Sequence, residues 1–240
     1  MADWFEGWFD SKYYHILYKN RDHQEAQLFI DKLYHLLELQ PENKVLDLAC
    51  GKGRHAIYLN KKDVDVVGAD LSAQSILHAQ QYENDKLKFV VHDMREVLYE
   101  QHFDFVFNLF TSFGYFEDEK EQVKTINAIH DTLKPKGILV LDFMNVHKTI
   151  KRLVPSETKE IEGITFHLNR KVENGFIVKT ISFEDQGQAY RFEERVKVIT
   201  EQDFRAYVQS WDVLNVFGDY HLGAFEPETS DRFILVAQKK

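Results

Sequence analysis

The 240-residue chain is short of cysteine, of proline and of clustered basic residues, and each shortage removes a class of protein. Its one cysteine, Cys50, has no partner for an internal disulfide. That excludes a disulfide-stapled secreted domain and accords with a reducing, cytoplasmic setting. Four prolines and the absence of any low-complexity run argue against disorder. No apolar stretch reaches the length of a membrane-spanning helix. The opening residues, Met1-Ala2-Asp3-Trp4-Phe5-Glu6, lack the positive region of a signal peptide. A formal net charge of −9 with no Lys/Arg cluster makes nucleic acid a poor partner. No clustered His/Asp/Glu spacing points to a metal site.

What the chain does have is apolar mass and a clear change of period. Hydrophobic residues make up 44%, enough for a sizeable core in one large α/β domain. Residues 1–21 are crowded with aromatics: Trp4, Phe5, Trp8, Phe9, Tyr13, Tyr14 and Tyr18. Asp22-His23-Gln24-Glu25 has the form of a capping box, and Ala26, Phe29, Ile30, Leu33 and Leu37 follow at helical spacing. Short apolar runs then alternate with helical patterns. Strands are predicted over Lys44 to Leu48, Val64 to Asp70, Leu87 to Val91, Phe103 to Leu109 and Ile138 to Phe143. Short crossovers of this kind make strands parallel and put helices on both faces, so the fold is expected to be a doubly wound, Rossmann-like α/β sheet.

That alternation stops near residue 150. Residues 161–199 hold strand-like stretches with no helix between them, punctuated by Asn174-Gly175 and Asp185-Gln186-Gly187-Gln188, which read as hairpin turns. An antiparallel β insertion of about three strands is expected there. Glu201 to Trp211 looks helical. Val213 to Phe217 and Phe233 to Ala237 then form a closing pair whose connection is too short for a crossover, so the last strand is expected to run antiparallel in a seven-stranded sheet. The organisation follows: residues 1–40 as an N-terminal helical lid, 41–150 and 200–240 as the core, and 151–199 as an insertion over the acceptor site.

The chemistry concentrates in Leu46-Asp47-Leu48-Ala49-Cys50-Gly51-Lys52-Gly53-Arg54-His55. Glycines at the carboxyl end of the first strand let backbone approach a ligand closely. Asp70, ending the second strand, is placed to accept hydrogen bonds from both hydroxyls of a ribose. Gly51-Lys52-Gly53-Arg54-His55-Ala56 also fits the dinucleotide pattern G-x-G-x-x-G/A, which keeps an NAD-dependent oxidoreductase in view. Three features point elsewhere. Asp47 sets a carboxylate before the loop, where a pyrophosphate would be repelled. Asp93 adds an acid at the end of the third strand, within reach of an adenine amino group. The antiparallel final pair is the third.

The chain resembles class I S-adenosylmethionine (SAM)-dependent methyltransferases of small-molecule type, from about Lys44 to Lys240. The resemblance rests on the Asp47-to-Gly53 loop, Val67-Gly68-Ala69-Asp70-Leu71-Ser72, His92-Asp93-Met94 and Leu133-Lys134-Pro135-Lys136-Gly137. It implies that Asp47, Ala49, Gly51 and Gly53 lie beside the methionine portion of SAM, that Asp70 and Leu71 meet the ribose, and that Asp93 and Met94 meet the adenine. Backbone near Asn108 is expected to face the methionine amine. Tyr13-Tyr14-His15-Ile16-Leu17-Tyr18-Lys19-Asn20-Arg21 looks like the N-terminal segment that closes over SAM in such enzymes, with Tyr14, Tyr18 and Arg21 as cofactor contacts. Arg21 would pair with the carboxylate and a tyrosine would face the sulfonium. Phe110-Thr111-Ser112-Phe113-Gly114-Tyr115-Phe116 resembles the acceptor-facing segment of sugar-amine N-methyltransferases. Tyr115 and His147 are the candidate catalytic residues.

The reaction so implied is an in-line displacement by a small-molecule acceptor. The work of the protein is alignment and exclusion of water, with a base where the acceptor needs one. The β insertion is placed to roof the acceptor site or to form a homodimer. A SAM-binding protein without catalysis is the alternative reading.

Overall fold

The computed structural model describes residues 4–19 and 23–240. Two short helices, α1 (Trp4–Phe9) and α2 (Lys12–Leu17), precede α3 (His23–Leu36). The alternating region follows: β1 (Lys44–Leu48), α4 (Arg54–Asn60), β2 (Asp65–Asp70), α5 (Ala73–Ala79), β3 (Leu87–Val91), β4 (Phe103–Asn108), α6 (Glu119–Thr132), β5 (Leu133–Met144) and α7 (Val146–Lys151). A run of strands comes next: β6 (Ser156–Ile161), β7 (Ile164–Glu173), β8 (Phe176–Asp185) and β9 (Gln188–Lys197). The chain closes with α8 (Glu201–Tyr207), β10 (Asp212–Phe217) and β11 (Arg232–Gln238).

Seven strands form one sheet in the order β10-β11-β5-β4-β1-β2-β3. Pairs β1–β2, β1–β4, β2–β3 and β4–β5 are parallel, whereas β11 runs antiparallel to both β5 and β10. The sheet is apolar on both faces because helices cover both, which is why its strands read as continuous hydrophobic runs. Alternate residues separate into two cores. Val45, Phe105, Phe107 and Val140 face α3, α4 and α5, while Leu46, Leu48, Val106, Leu139 and Leu141 face α6 and α8. Side-chain caps start the covering helices: Ser72 accepts from Ser75 N, Asp118 from Lys120 N, and Thr200 and Asp203 form a reciprocal capping box.

The insertion is a separate four-stranded antiparallel sheet, β6-β7-β8-β9, one strand more than expected. Asn174-Gly175 and Gln186-Gly187 turn in the left-handed region, which Asn and Gly adopt readily, but so does Glu162-Gly163, which creates the additional β6–β7 hairpin. A glutamate before glycine is a weak turn signal, and β6 itself (SETKEI) lacks an apolar run. Among the described residues no helix is long and apolar enough to cross a membrane.

The insertion does more than extend the molecule. Ile164, Phe166, Leu168, Ile181 and Phe183 form a third core with Trp8, Tyr13 and Leu17 of α1 and α2. The N-terminal helices are thus mounted on the second sheet, with their other face toward the carboxyl edge of the first. The sheet's own residues do not line the cavity that opens there; its part in the roof is carried by those helices.

A candidate cofactor and acceptor site at the carboxyl edge of the sheet

A cavity of about 700 Å³ lies at the carboxyl ends of β1, β2, β3 and β4. That is the place where an open α/β sheet leaves a crevice, and the volume suits a cofactor-sized ligand. One wall is the β1–α4 loop with Ala49, Cys50 and Gly51. A second is Asp70, Leu71 and Ser72 after β2. His92, Asp93 and Met94 after β3 make a third. Leu109, Phe110, Ser112, Tyr115 and Phe116 after β4 make a fourth, and Phe9, Asp10, Tyr14, His15, Tyr18 and Lys19 form the roof.

The loop and the acid after β2 are built as one unit. Gly51 N donates to Asp70 Oδ2 at 2.7 Å, and Ser72 N donates to Oδ1 at 2.8 Å. Each oxygen is oriented by a backbone donor and keeps further acceptor capacity toward the cavity. Burial raises the Asp70 pKa, against which the Ser72 and Gly51 N–H groups work. Gly51 adopts φ +56, and a Cβ placed there would meet nothing within 4 Å, so this glycine leaves open space at the cavity wall. Gly53 differs: at φ +78 its Cβ would sit 2.5 Å from Phe89, so this position is demanded by packing beneath the loop.

Asp47 is also beneath the loop. It is buried, accepts from Ala56 N at 3.1 Å and does not line the cavity. Burial, reinforced by the charge of Asp70, raises its pKa to about 7, although Ala56 N and Arg54 pull the other way. Asp93 does line the cavity. Burial pushes its carboxyl upward, but Arg95 grips both oxygens, with Nη2–Oδ2 at 2.6 Å, and holds the pKa below the ordinary value.

Side-chain hydrogen bonds anchor the roof at several points. Asp10 Oδ1 accepts from Ser72 Oγ at 2.8 Å and Gln74 N at 3.1 Å, joining the lid to the start of α5. Glu194 on β9 accepts from Trp8 Nε1 at 2.7 Å and from the Tyr18 hydroxyl at 2.7 Å, and Lys179 bonds to both Tyr18 and Glu194. Asp185 accepts from the Tyr13 hydroxyl at 2.8 Å. Within the roof, Tyr14 packs edge-on against Phe9 and lies 4.9 Å from Tyr18, and Phe9 packs edge-on against Tyr115.

Of the residues singled out in the sequence, Tyr14, Tyr18, Ala49, Gly51, Asp70, Leu71, Asp93, Met94 and Tyr115 come together on this one cavity. Asp47 and Gly53 support its loop from below. Asn108 is wholly buried; its Nδ2 donates to Leu48 O at 3.1 Å, its Oδ1 has no hydrogen-bond partner among the described residues, and Leu109 takes the lining position after it. The expectation for His147 is corrected. It sits on α7, half exposed, bonded to Glu228 at 2.6 Å, and is not part of the cavity wall. α7 turns the chain away from the crevice immediately after β5, so a position just past a strand end does not put the side chain over it. Arg21 lies outside the described residues. Sequence reasoning missed Phe9, His15, Lys19, Arg54, His55 and Phe110 as lining residues. The helical spacing of Tyr14 with Tyr18, and of His15 with Lys19, was the available signal for part of that set. The stacking of Arg54 over the Phe110 ring, 4.0 Å from its centroid, had none.

Residues 45–137 match the methyltransferase domain family. Over 116 residues the chain is 34% identical to a putative methyltransferase, YqeM, of Bacillus subtilis (strain 168), covering 47% of this chain and 46% of that protein. It is 27% identical to a putative methyltransferase of Geobacillus sp. (strain WCH70) over 98% of each chain. It is 31% identical to a glycine/sarcosine N-methyltransferase of Halorhodospira halochloris over 54% of this chain and 49% of that one. The chain thus spans about half the length of the first and third of these relatives and nearly all of the second. Among solved structures, a SAM-dependent methyltransferase from Clostridium acetobutylicum superposes with a TM-score of 0.79 at 18% identity, covering 95% and 96% of the two chains. The sugar N-methyltransferase KedS8 from Streptoalloteichus superposes with a TM-score of 0.72 at 19% identity, covering 95% and 92%.

Proposed function

We propose that this chain, which carries a methyltransferase domain on the class I SAM-dependent fold, transfers the methyl group of SAM to a small-molecule acceptor. The observation that carries the reading is the joint construction of Gly51 and Asp70. A glycine loop that leaves open space beside a ligand is hydrogen-bonded to a carboxylate whose oxygens are both aimed and both able to accept more. Asp70 would take the ribose hydroxyls, with Leu71 beside it. Asp93 and Met94 would border the adenine. Ala49, Gly51 and the backbone at Asn108–Leu109 would border the methionine portion, with Tyr14, Tyr18 and Arg21 closing over it.

When bound, SAM supplies an electrophilic methyl group on a sulfonium, whose departure as a neutral thioether needs no acid. The residues of the chain align the acceptor and exclude water. The aromatic roof of Phe9, Tyr14 and Tyr18 suits both tasks, because it is apolar and is bolted to a second sheet. Tyr115 faces the same cavity and is read as an acceptor-site residue. A relative that methylates glycine and sarcosine, and a structural neighbour that methylates a sugar amine, support a small amine as acceptor. A cytoplasmic setting and a homodimer through the outer face of the four-stranded sheet belong to the same reading; light scattering in solution tests the dimer.

Calorimetric titration with SAM, and separately with NAD(H), is the deciding experiment. Micromolar SAM binding by the wild type, lost in Asp70→Ala, is expected. Binding of NAD(H) in place of SAM by folded protein would overturn the reading. A wild type that binds SAM but methylates no amine, hydroxyl or carboxylate in a broad acceptor screen would leave SAM binding without catalysis.

A further inference from the structure

Behind the β4 wall of the cavity lies a polar network that the cofactor site does not use. Phe110 and Thr111 are consecutive non-glycine residues at φ 64 and φ 62, a conformation that persists only where surroundings over-determine it. Asp142 on β5, with no exposed surface, supplies the restraint. Its Oδ2 accepts from Phe110 N at 2.7 Å and from the Tyr220 hydroxyl at 3.1 Å, and its carbonyl accepts from Thr111 N at 3.0 Å. Its Oδ1 accepts from Arg232 Nε at 2.7 Å, and Arg232 Nη2 donates onward to Thr111 Oγ1 at 2.9 Å. The ion pair therefore holds the Phe110 N–H and the Thr111 hydroxyl, and the backbone of Asp142 holds the Thr111 N–H. The Thr111 carbonyl, aimed by that turn, accepts the Tyr115 hydroxyl proton at 2.8 Å.

We propose that the buried Arg232–Asp142 pair positions the acceptor wall: it sets the Phe110–Thr111 turn so that Thr111 takes the one hydroxyl proton of Tyr115 and the tyrosine oxygen serves only as a hydrogen-bond acceptor. The methyl acceptor then presents an N–H or O–H to Tyr115. Arg232, Asp142 and Thr111 do not line the cavity, whereas Phe110 and Tyr115 do, so the pair acts through them. The inference rests on the methyltransferase reading for the identity of the acceptor, but its geometric part does not.

The test uses full-length protein labelled with 3-fluorotyrosine, in which Tyr115→Phe assigns the fluorine line of Tyr115. Arg232→Met and Thr111→Val are compared with wild type, with and without S-adenosylhomocysteine. The expected result is a displaced Tyr115 line in both variants and affinity for S-adenosylhomocysteine within about twofold of wild type. With an amine or hydroxyl acceptor found by screening, KM for the acceptor is expected to rise at least about tenfold while KM for SAM holds. Arg232→Lys, which keeps the charge but not the fork, should fall between. Variants that melt earlier yet leave the Tyr115 line unmoved would make the pair a stability element only and overturn the proposal. Should Arg232→Met not fold, Thr111→Val removes only the hydroxyl that Arg232 holds and decides alone. Failure of the wild type to bind SAM would sink the methyltransferase reading, while the fluorine line would still decide the positioning.

Discussion

At the scale of single residues, Asp47 and Asp70 show how two acids one loop apart come to do different work. Asp70 is anchored by two N–H groups and open on its far side, whereas Asp47 is buried with one backbone donor. Its pKa of about 7 compares with about 3.9 in an unfolded chain. The folded state therefore binds the Asp47 proton more tightly. Its contribution to stability is fully present below pH ~4 and is lost as pH rises to about 7. Urea unfolding at pH 5 and pH 8 checks this: relative to Asp47→Asn, wild type is expected to lose about 2–3 kcal/mol across that interval. A constant difference between the two proteins would refute it. The sequence locates both acids, Asp47 before Gly-x-Gly and Asp70 at the end of the second strand, but does not tell which touches ligand. That difference is set by which one the loop covers.

At the scale of elements, the β1–α4 loop separates packing from ligand binding by two residues. Gly53→Ala drives a Cβ into Phe89 at a left-handed position and is expected to cost about 2 kcal/mol or more of stability. Gly51→Ala meets no neighbour, so it is expected to cost only about 1 kcal/mol, from its left-handed backbone, yet to weaken SAM binding at least about tenfold. Thermal melts and calorimetry on the pair separate the two effects; equal losses of stability would show that the loop has one role. The lid carries a parallel prediction. Glu194 holds Trp8, Tyr18 and Lys179 together across the gap between α1–α2 and β9. Glu194→Ala leaves the Lys179 ammonium buried without its counter-ion. Faster proteolysis within residues 4–19 and a SAM affinity lower by about tenfold are expected. Unchanged hydrogen exchange in that segment would show that the apolar core under the helices suffices.

Elements were far more legible in the sequence than the contacts among them. Strands β1 to β5 announce themselves because a parallel strand covered on both faces must be apolar throughout, and α5, α6 and α8 carry their own caps. Asn174-Gly175 marks its hairpin because both positions need positive φ. Glu162-Gly163 makes the same turn with poorer chemistry and escapes notice. The seating of α1 and α2 on the second sheet joins residues more than 170 positions apart, such as Trp8 with Glu194. The Arg232–Asp142 pair spans 90 positions. No local pattern encodes such pairings; they exist only once both sheets have formed. His147 fails as a cavity residue for the same reason, since its direction is set by α7 and by Glu228 from a distant loop.

At the scale of the whole molecule, the arrangement makes the ligand a structural member. The cavity is enclosed by the first sheet on one side and, on the other, by helices that belong to the second sheet's core, so a ligand spanning them joins two hydrophobic units. Any ligand that binds only the folded state stabilises it by RT ln(1 + [L]/Kd), about 2.7 kcal/mol at a hundredfold excess over Kd. For a domain of this size that corresponds to a rise in Tm of roughly 5–10 °C. The wild type is expected to show such a rise with S-adenosylhomocysteine, and Asp70→Ala to show none. The lid makes a sharper demand. If bound ligand couples the two units, Glu194→Ala should regain slow hydrogen exchange in residues 4–19 when saturated with S-adenosylhomocysteine, because ligand contacts at Tyr14 and Tyr18 replace the lost anchor. Saturation that raises Tm while leaving the lid of this variant open would show that the ligand is held by the first sheet alone, and that the roof of aromatics serves the acceptor instead of the cofactor.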